Sequence, residues 1–289
     1  MMIPNKPGGG YDETGREAVT VFEDEKLTSR FEVFNVTGAS GTVAMARLIN
    51  EKGSEDLLMT MGLGVVGAVR TNGSSATVSK ATPIARLIED AEAVYVPADS
   101  PFKTIDDMVT AWKADPSKVT IGGGSSPGGP DHLFPMEFAR AVGIDAPTVN
   151  YTPYDGGGDL LSALLGAKVN VGTSGSTEFD KEVEVGDLRI LAVSSAERLS
   201  LVDAPTLKES GIDLEFTNWR GVIAPPGIST ERQKEHIELV TKMHDTPEWK
   251  AVLKEREWTD AFITGDEFGT FLKEQDELVA STLKELGLS

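Results

Sequence analysis

The chain contains no cysteine, which excludes disulfides, thiolate metal sites and cysteine nucleophiles. Basic residues are scarce: 27 lysines and arginines stand against 46 aspartates and glutamates, a net charge of −19. Nucleic acid needs a basic footprint, and anionic membrane surfaces attract one, so neither is expected as a partner. The acidic exterior reads as a solubility feature. It leaves a small anionic ligand possible, because backbone dipoles can make a site locally positive. No apolar run approaches the roughly 20 residues of a membrane-spanning helix. Histidine is rare as well: His132 opens a helix beside a glycine loop, while His236 and His244 read as surface positions on a late helix. There is no G-x-S-x-G elbow and no H-E-x-x-H, which leaves a zinc protease unsupported. No Gly/Ser linker, low-complexity run or strong internal repeat interrupts the 289 residues.

What the chain does have is glycine placed after strands. Met1-Met2-Ile3 leads into Pro7-Gly8-Gly9-Gly10-Tyr11-Asp12-Glu13-Thr14-Gly15-Arg16, and a helix bearing Val19 and Phe22 follows. Strand, glycine loop, helix is an arrangement that turns unpaired backbone N–H groups toward an anion. Strand-type runs at 31–36, 57–61, 93–96, 119–121, 149–151, 169–171 and 190–193 alternate with helical patterns. They deliver further loops: Thr37-Gly38-Ala39-Ser40-Gly41, Gly122 to Gly129, Thr152 to Asp159, and the hydroxyl-rich Gly172 to Thr177. The segment 84–88 is ambiguous between helix and strand. Thr217 to Ala224 re-enters the first lobe, and helices over 230–244, 248–256 and 267–286 finish the chain. The class is therefore α/β with mostly parallel sheets, whose ligands sit at the carboxyl ends of strands.

Gly62-Leu63-Gly64-Val65-Val66-Gly67 is a literal G-x-G-x-x-G, but the helix after it breaks at Asn72-Gly73-Ser74-Ser75, short of what the dinucleotide fingerprint requires. Asp12, Asp131, Asp155 and Asp159 could hold a hard cation, yet each also reads as a helix cap or turn residue, with Asp159 capping a helix over 160–165. Ser125 and Ser126 lack a nearby base and read as hydrogen-bond donors. The loops hold few basic residues, so a ligand would be bound through N–H and O–H groups without an arginine fork.

These motifs together resemble one family. Pro7-Gly8-Gly9-Gly10 with Asp12 and Arg16 is similar to the Pro-Gly-Gly-x-x-Asp-x-x-x-Arg signature of solute receptors for tripartite tricarboxylate transporters, the Bug-type receptors. Asn35 to Gly41 resembles their second loop, and Gly124-Ser125 with Gly128 and His132 resembles their Gly-Ser-x-Gly loop. Thr152-Pro153-Tyr154-Asp155-Gly156 resembles their Val-Pro-Tyr-Lys-Gly segment, and Ala224-Pro225-Pro226-Gly227 resembles their closing run. The departures are Asp155 where lysine is common, Tyr11, and the Thr173-Ser174 pair, and they bear on ligand choice.

The resemblance implies a type II periplasmic-binding fold: lobe 1 over 1–97 and 220–289, lobe 2 over 98–219, hinges near 96–100 and 218–222, and a cleft between the lobes. It implies a non-enzymatic extracytoplasmic receptor, monomeric and without cofactor or metal, that captures a citrate-like tricarboxylate or a dicarboxylate for an integral-membrane permease. The expected contacts are Gly8, Gly9, Gly10, Tyr11, Asp12, Asn35, Gly38 and Gly62 in lobe 1. In lobe 2 they are Ser125, Ser126, Gly128, Thr152, Tyr154, Gly156, Gly157, Thr173 and Ser174. Met1 stands almost on the first strand, so the start is read as trimmed, with an export signal, and a lipid anchor in some settings, removed. Two alternatives remain open: an enzyme for a nucleotide or phosphorylated substrate using Gly62–Gly67 and Gly122–Gly129, and a sensor domain of the same fold.

Overall fold

The computed structural model describes every residue except Ser29, Asp155 and Ser289. The chain forms two compact units. A terminal unit comprises Met1–Glu89 and Trp219–Ser289, and an inserted unit comprises Asp90–Asn218.

The terminal unit starts with β1 (Met2–Ile3), α1 (Gly10–Asp24), β2 (Phe34–Asn35), α2 (Thr42–Asn50), β3 (Met59–Gly62) and α3 (Leu63–Thr71). β1 pairs in parallel with both β2 and β3. β4 (Thr82–Pro97) then carries the chain into the inserted unit. There α4 (Ile105–Ala114), β5 (Thr120–Gly123), α5 (Pro130–Ala141), β6 (Asn150–Pro153), α6 (Gly157–Leu165), β7 (Val171–Gly175), α7 (Asp180–Glu184) and β8 (Leu188–Val193) follow. β5 pairs in parallel with both β6 and β7. The return strand β9 (Thr217–Ala224) leads to α8 (Thr230–His244), α9 (Pro247–Glu255), β10 (Thr259–Thr264) and α10 (Gly265–Glu285).

The two units repeat one plan. Each has a first strand flanked in parallel by the next two, and each is completed by a strand crossing from the other unit. β9 runs antiparallel to β3, and β4 runs antiparallel to β7. The crossing strands oppose their neighbours because they return from the far unit, whereas βαβ connections keep the others parallel. No sequence repeat announces this plan.

β4 shows why the sequence was ambiguous over 84–88. Of its 16 residues 11 are buried and none is exposed, and a strand covered on both faces reads as a continuous apolar run rather than an alternating one. In the inserted unit its alternation serves two cores. Val94 and Val96 pack with Trp112, Phe134 and Phe138, while Ala93 and Tyr95 pack with Leu160, Leu164 and Phe179. The terminal unit buries Ile3, Val19, Phe22, Leu87, Trp249 and Trp258 in one core.

Several expectations are corrected. The strand over 31–36 is only Phe34–Asn35, although Phe31 and Val33 still pack on the core. Thr173 and Ser174 lie within β7, not in a loop. α6 starts at Gly157 because Gly156, at φ 102°, turns the chain into it, so Asp159 sits inside the first turn and does not cap. α3 begins directly after Gly62, which places Gly64 and Gly67 inside a helix and leaves no phosphate loop there. β10 was not foreseen; its pairing with β4 shifts register between Asp260 and Ile263, which breaks the alternation a strand would show. His236 is buried, with Nε2 2.7 Å from the Glu55 carbonyl oxygen, and is not a surface residue.

Candidate ligand site

In the terminal unit the first loop is set by its glycines and one carboxylate. Gly8 takes φ 84°, a left-handed conformation that L side chains enter at a cost, so the positive φ falls here and not at Gly9 or Gly10. Gly9 is extended at the N-cap of α1. A Cβ on Gly9 would stand 2.3 Å from Asn5 Nδ2, and one on Gly10 would stand 2.7 Å from the Arg220 guanidinium carbon. A side chain at either position would therefore displace Asn5 or Arg220 from its place beside the loop.

Asp12 ties the loop together. Its Oδ2 accepts from Gly8 N–H and from Arg16 Nε, each at 2.9 Å, and its Oδ1 accepts from Asn35 Nδ2 at 2.9 Å. Asn35 also donates to the Asn5 carbonyl and accepts from Arg16 Nη2. Burial pushes the Asp12 carboxyl up, but the bonds from Arg16, Asn35 and Gly8 outweigh it and hold the group below the usual carboxylate range. Asp12 thus stays ionised and positions the loop. Tyr11 reaches α3, where its hydroxyl accepts from Val65 N–H at 3.2 Å. Gly62 gives way to β9, since a Cβ there would lie 2.4 Å from the Trp219 carbonyl oxygen. Gly38, at φ 132°, packs on Val43.

Sequence reasoning missed Arg220. It is buried on β9, opposite Gly62 in the register with β3, and Nη1 lies 3.4 Å from Thr14 Oγ1. Its guanidinium thus stands beside the first turn of α1 from more than 200 residues away in sequence. An arginine set between Trp219 and the apolar run Val222-Ile223-Ala224 was the available signal. Arg220 lies on a strand, so the scarcity of basic residues within the loops did not reveal it.

In the inserted unit the corresponding loop has the same build. Gly128 takes φ 87° and Gly129 is the extended N-cap of α5. Gly128 N–H donates to His132 Nδ1 at 3.1 Å, four residues on, just as Gly8 donates to Asp12. Burial lowers the His132 pKa to about 4, so the imidazole is neutral and its proton sits on Nε2. The ring meets Tyr151 edge-on at 4.7 Å.

Around this loop the structure gathers many of the expected residues on Asp131. Asp131 Oδ2 accepts from Gly124 N–H at 2.7 Å and lies 3.5 Å from Ser174 Oγ. Its N–H donates to Ser125 Oγ, and its carbonyl accepts from Thr173 Oγ1 at 2.7 Å. Tyr151 donates to the Ser125 carbonyl, and Ser126 accepts from Gly129 N–H through its own carbonyl. Gly156 and Tyr154 donate their N–H groups to the carbonyls of Gly124 and Gly123. Gly157 abuts Glu178, whose Oε1 is 2.1 Å from where a Cβ would stand. Thr152 pairs with Gly122 in the β5–β6 register, one strand aside from this cluster. Burial, and then the Glu178 charge, raise the Asp131 carboxyl to about 7. Asp155 lies outside the described residues. Among the described residues no group of three or more acidic or histidine side chains is arranged to hold a metal ion.

A protein with two α/β units of this plan and glycine loops after the first strand of each belongs with the solute-binding receptors. A family model described as tripartite tricarboxylate transporter family receptor matches residues 23–288, and the chain belongs to that family. A Cupriavidus necator protein named for the gbd 5′ region is 29% identical over 199 residues; the match covers 68% of this chain and 59% of that protein's length. A TctC solute-binding protein from Polaromonas, solved without ligand, is 26% identical with a TM-score of 0.74, covering 99% of this chain and 97% of that one. Two Rhodopseudomonas palustris structures share the fold. One, with adipate, has a TM-score of 0.85 at 20% identity, covering 99% and 96% of the two chains. The other, with bound malate, has a TM-score of 0.79 at 18% identity, covering 98% and 97%.

Proposed function

We propose that this receptor captures a small organic carboxylate outside the cytoplasm, of the dicarboxylate or citrate-like class, and hands it to an integral-membrane permease of the tripartite tricarboxylate type. The observation that carries the reading is the start of α1. Gly10 N–H has no protein acceptor among the described residues, and it opens a helix whose dipole favours an anion. Arg220 stands beside it and Asp12 is already occupied by Arg16 and Asn35. A carboxylate placed there gains charge-assisted hydrogen bonds of about 1.5–3 kcal/mol each. Together with the helix end and the contacts of the rest of the ligand, these offset the cost of ordering, for an expected affinity near the micromolar range, about −8 kcal/mol. The adipate and malate held by the two Rhodopseudomonas proteins of this fold support the ligand class.

A thermal-shift screen of dicarboxylates, tricarboxylates, aromatic acids, amino acids and nucleotides tests this, because a ligand of the folded state raises its apparent stability by mass action. At least one carboxylate is expected to raise the melting temperature, with NADH and ATP inert. Stabilisation by a nucleotide and by no carboxylate would overturn the reading.

A further inference from the structure

The second loop of the terminal unit passes through four successive residues with positive φ: Gly38 at 132°, Ala39 at 46°, Ser40 at 52° and Gly41 at 93°. Glycine enters this region freely, whereas an L side chain there crowds the following carbonyl oxygen. Ala39 and Ser40 therefore hold a strained turn. Strain of this kind persists only where the surroundings impose it.

Here the surroundings come from α3 and from the first loop. Asn72, the C-cap of α3, reaches across the turn. Its Nδ2 donates to Thr42 Oγ1 at 3.2 Å, at the start of α2, and reaches the Ala39 carbonyl at 3.5 Å. A bond of 2.8 Å to the Ala68 carbonyl fixes the same amide to α3. The turn closes on Gly38, whose carbonyl accepts from Gly41 N–H at 3.1 Å and from Val43 N–H at 3.4 Å. Gly41 is wedged in place: a Cβ there would stand 2.9 Å from Val65 Cγ2 and 3.3 Å from Pro4 Cβ. Upstream, Asn35 donates to Asp12 and to the Asn5 carbonyl. The path of the second loop thus reaches the first loop at two points, Asn35 and Pro4.

We propose that Gly38–Gly41 is a latch, a strained left-handed turn locked by Asn72, and that Asn72 is a positioning residue for the carboxylate site of the terminal unit. The inference rests on the carboxylate-receptor reading for what the latch serves; the lock itself is a property of this unit alone. In the locked form the turn seats Gly41 against Pro4 and keeps Asn35 on Asp12. Without Asn72, Ala39 and Ser40 are free to leave the left-handed region, and the relief of strain favours opening.

Amide hydrogen exchange of the full chain tests the lock in four proteins: native, Asn72→Ala, Ala39→Gly and the two changes together. Asn72 and Ala39 are both exposed, so neither change opens a core. Asn72→Ala is expected to speed exchange at Gly41 and Val43 at least ten-fold. Asn72→Asp should do the same, because a carboxylate of equal size cannot donate. Ala39→Gly alone should leave exchange slow. Added to Asn72→Ala, it should restore most of the protection, since glycine occupies the locked form without strain. A residue that only caps α3 would not be rescued from α2's side in this way. Unchanged exchange in Asn72→Ala, or no rescue in the double variant, overturns the inference. Calorimetric titration of the same four proteins with malate, adipate and citrate tests what the latch serves. Whichever acid the native protein binds should bind at least three-fold more weakly to Asn72→Ala and recover in the double variant; equal affinity in all four proteins overturns the positioning role. If none of the three acids binds, it is the receptor reading that fails, while the exchange set decides the latch by itself.

Discussion

Gly8-Gly9-Gly10-Tyr11-Asp12 and Gly128-Gly129-Pro130-Asp131-His132 follow the same path: a left-handed glycine, an extended glycine as N-cap, and a side chain four residues on that accepts from the first glycine. They differ in what that acceptor is. In the terminal unit it is an ionised carboxylate surrounded by Arg16, Asn35 and, beyond them, Arg220. In the inserted unit it is a neutral imidazole packed on Tyr151, with a buried carboxyl one residue back at Asp131. One backbone device therefore presents a positive helix end in one unit and a carboxyl-lined one in the other. The comparison teaches that glycine spacing sets the path of the backbone, while the side chains beside the glycines set the charge at the helix end.

Removing the anchors should separate the two loops most. Asp12→Ala leaves Arg16 and Asn35 without their shared acceptor and should cost about 3 kcal/mol of stability, measured by urea unfolding, and at least ten-fold in carboxylate affinity. His132→Asn retains an acceptor for Gly128 N–H and should cost about half as much. Equal losses would mean that the Asp12 network adds nothing to the shared backbone.

Acid should act on the inserted unit first. The folded His132 pKa of about 4 lies below the unfolded value near 6.5. Its contribution is complete above pH 6.5 and is lost progressively as pH falls toward 4, roughly 3 kcal/mol at the lower end. Asp12, with its folded pKa depressed, contributes above the ordinary carboxylate pKa and loses this only as pH falls through its lower folded value. Unfolding free energy followed from pH 7 to pH 4.5 should fall less steeply in His132→Gln than in the native protein. Identical slopes would remove His132 as the acid-sensitive anchor.

Substituting the left-handed glycines should bring the loops back into agreement. No atom lies within 4 Å of where a Cβ on Gly8 would stand, so Gly8→Ala pays only for its φ, about 1 kcal/mol. Gly128→Ala, at nearly the same φ, should cost a similar amount in the same chemical unfolding experiment. The smallest effect expected is for Ser125→Ala, which frees the Asp131 N–H and should lower stability by about 1 kcal/mol or less.

Much of this was legible in the chain. The glycine runs marked both loops, and the helix starts at Gly10 and Pro130 follow from Pro, Gly and the apolar spacing after them. The three late helices were placed within two residues of their observed ends. What was hidden depends on distant partners. Arg220 reaches α1 only because β9 pairs with β3, and nothing local to Trp219-Arg220-Gly221 indicates that pairing. Thr173 and Ser174 resembled a hydroxyl loop because small polar residues mark turns, yet pairing with Val94 and Ala93 holds them in β7. Asp131 resembled a helix cap, and its environment is made by Gly124, Ser174 and Glu178 from three other segments. The repeated plan left no trace, since topology and backbone dihedrals can recur where side chains do not.

The start of α1 is the place proposed to hold the carboxylate. Hydrogen exchange of the native protein, with and without a saturating amount of the acid that raises its melting temperature most, tests this directly. The account predicts slowed exchange at Gly10 and Tyr11, with the surface helix α8 unchanged. Unaltered exchange at Gly10 and Tyr11 in the saturated protein would contradict it.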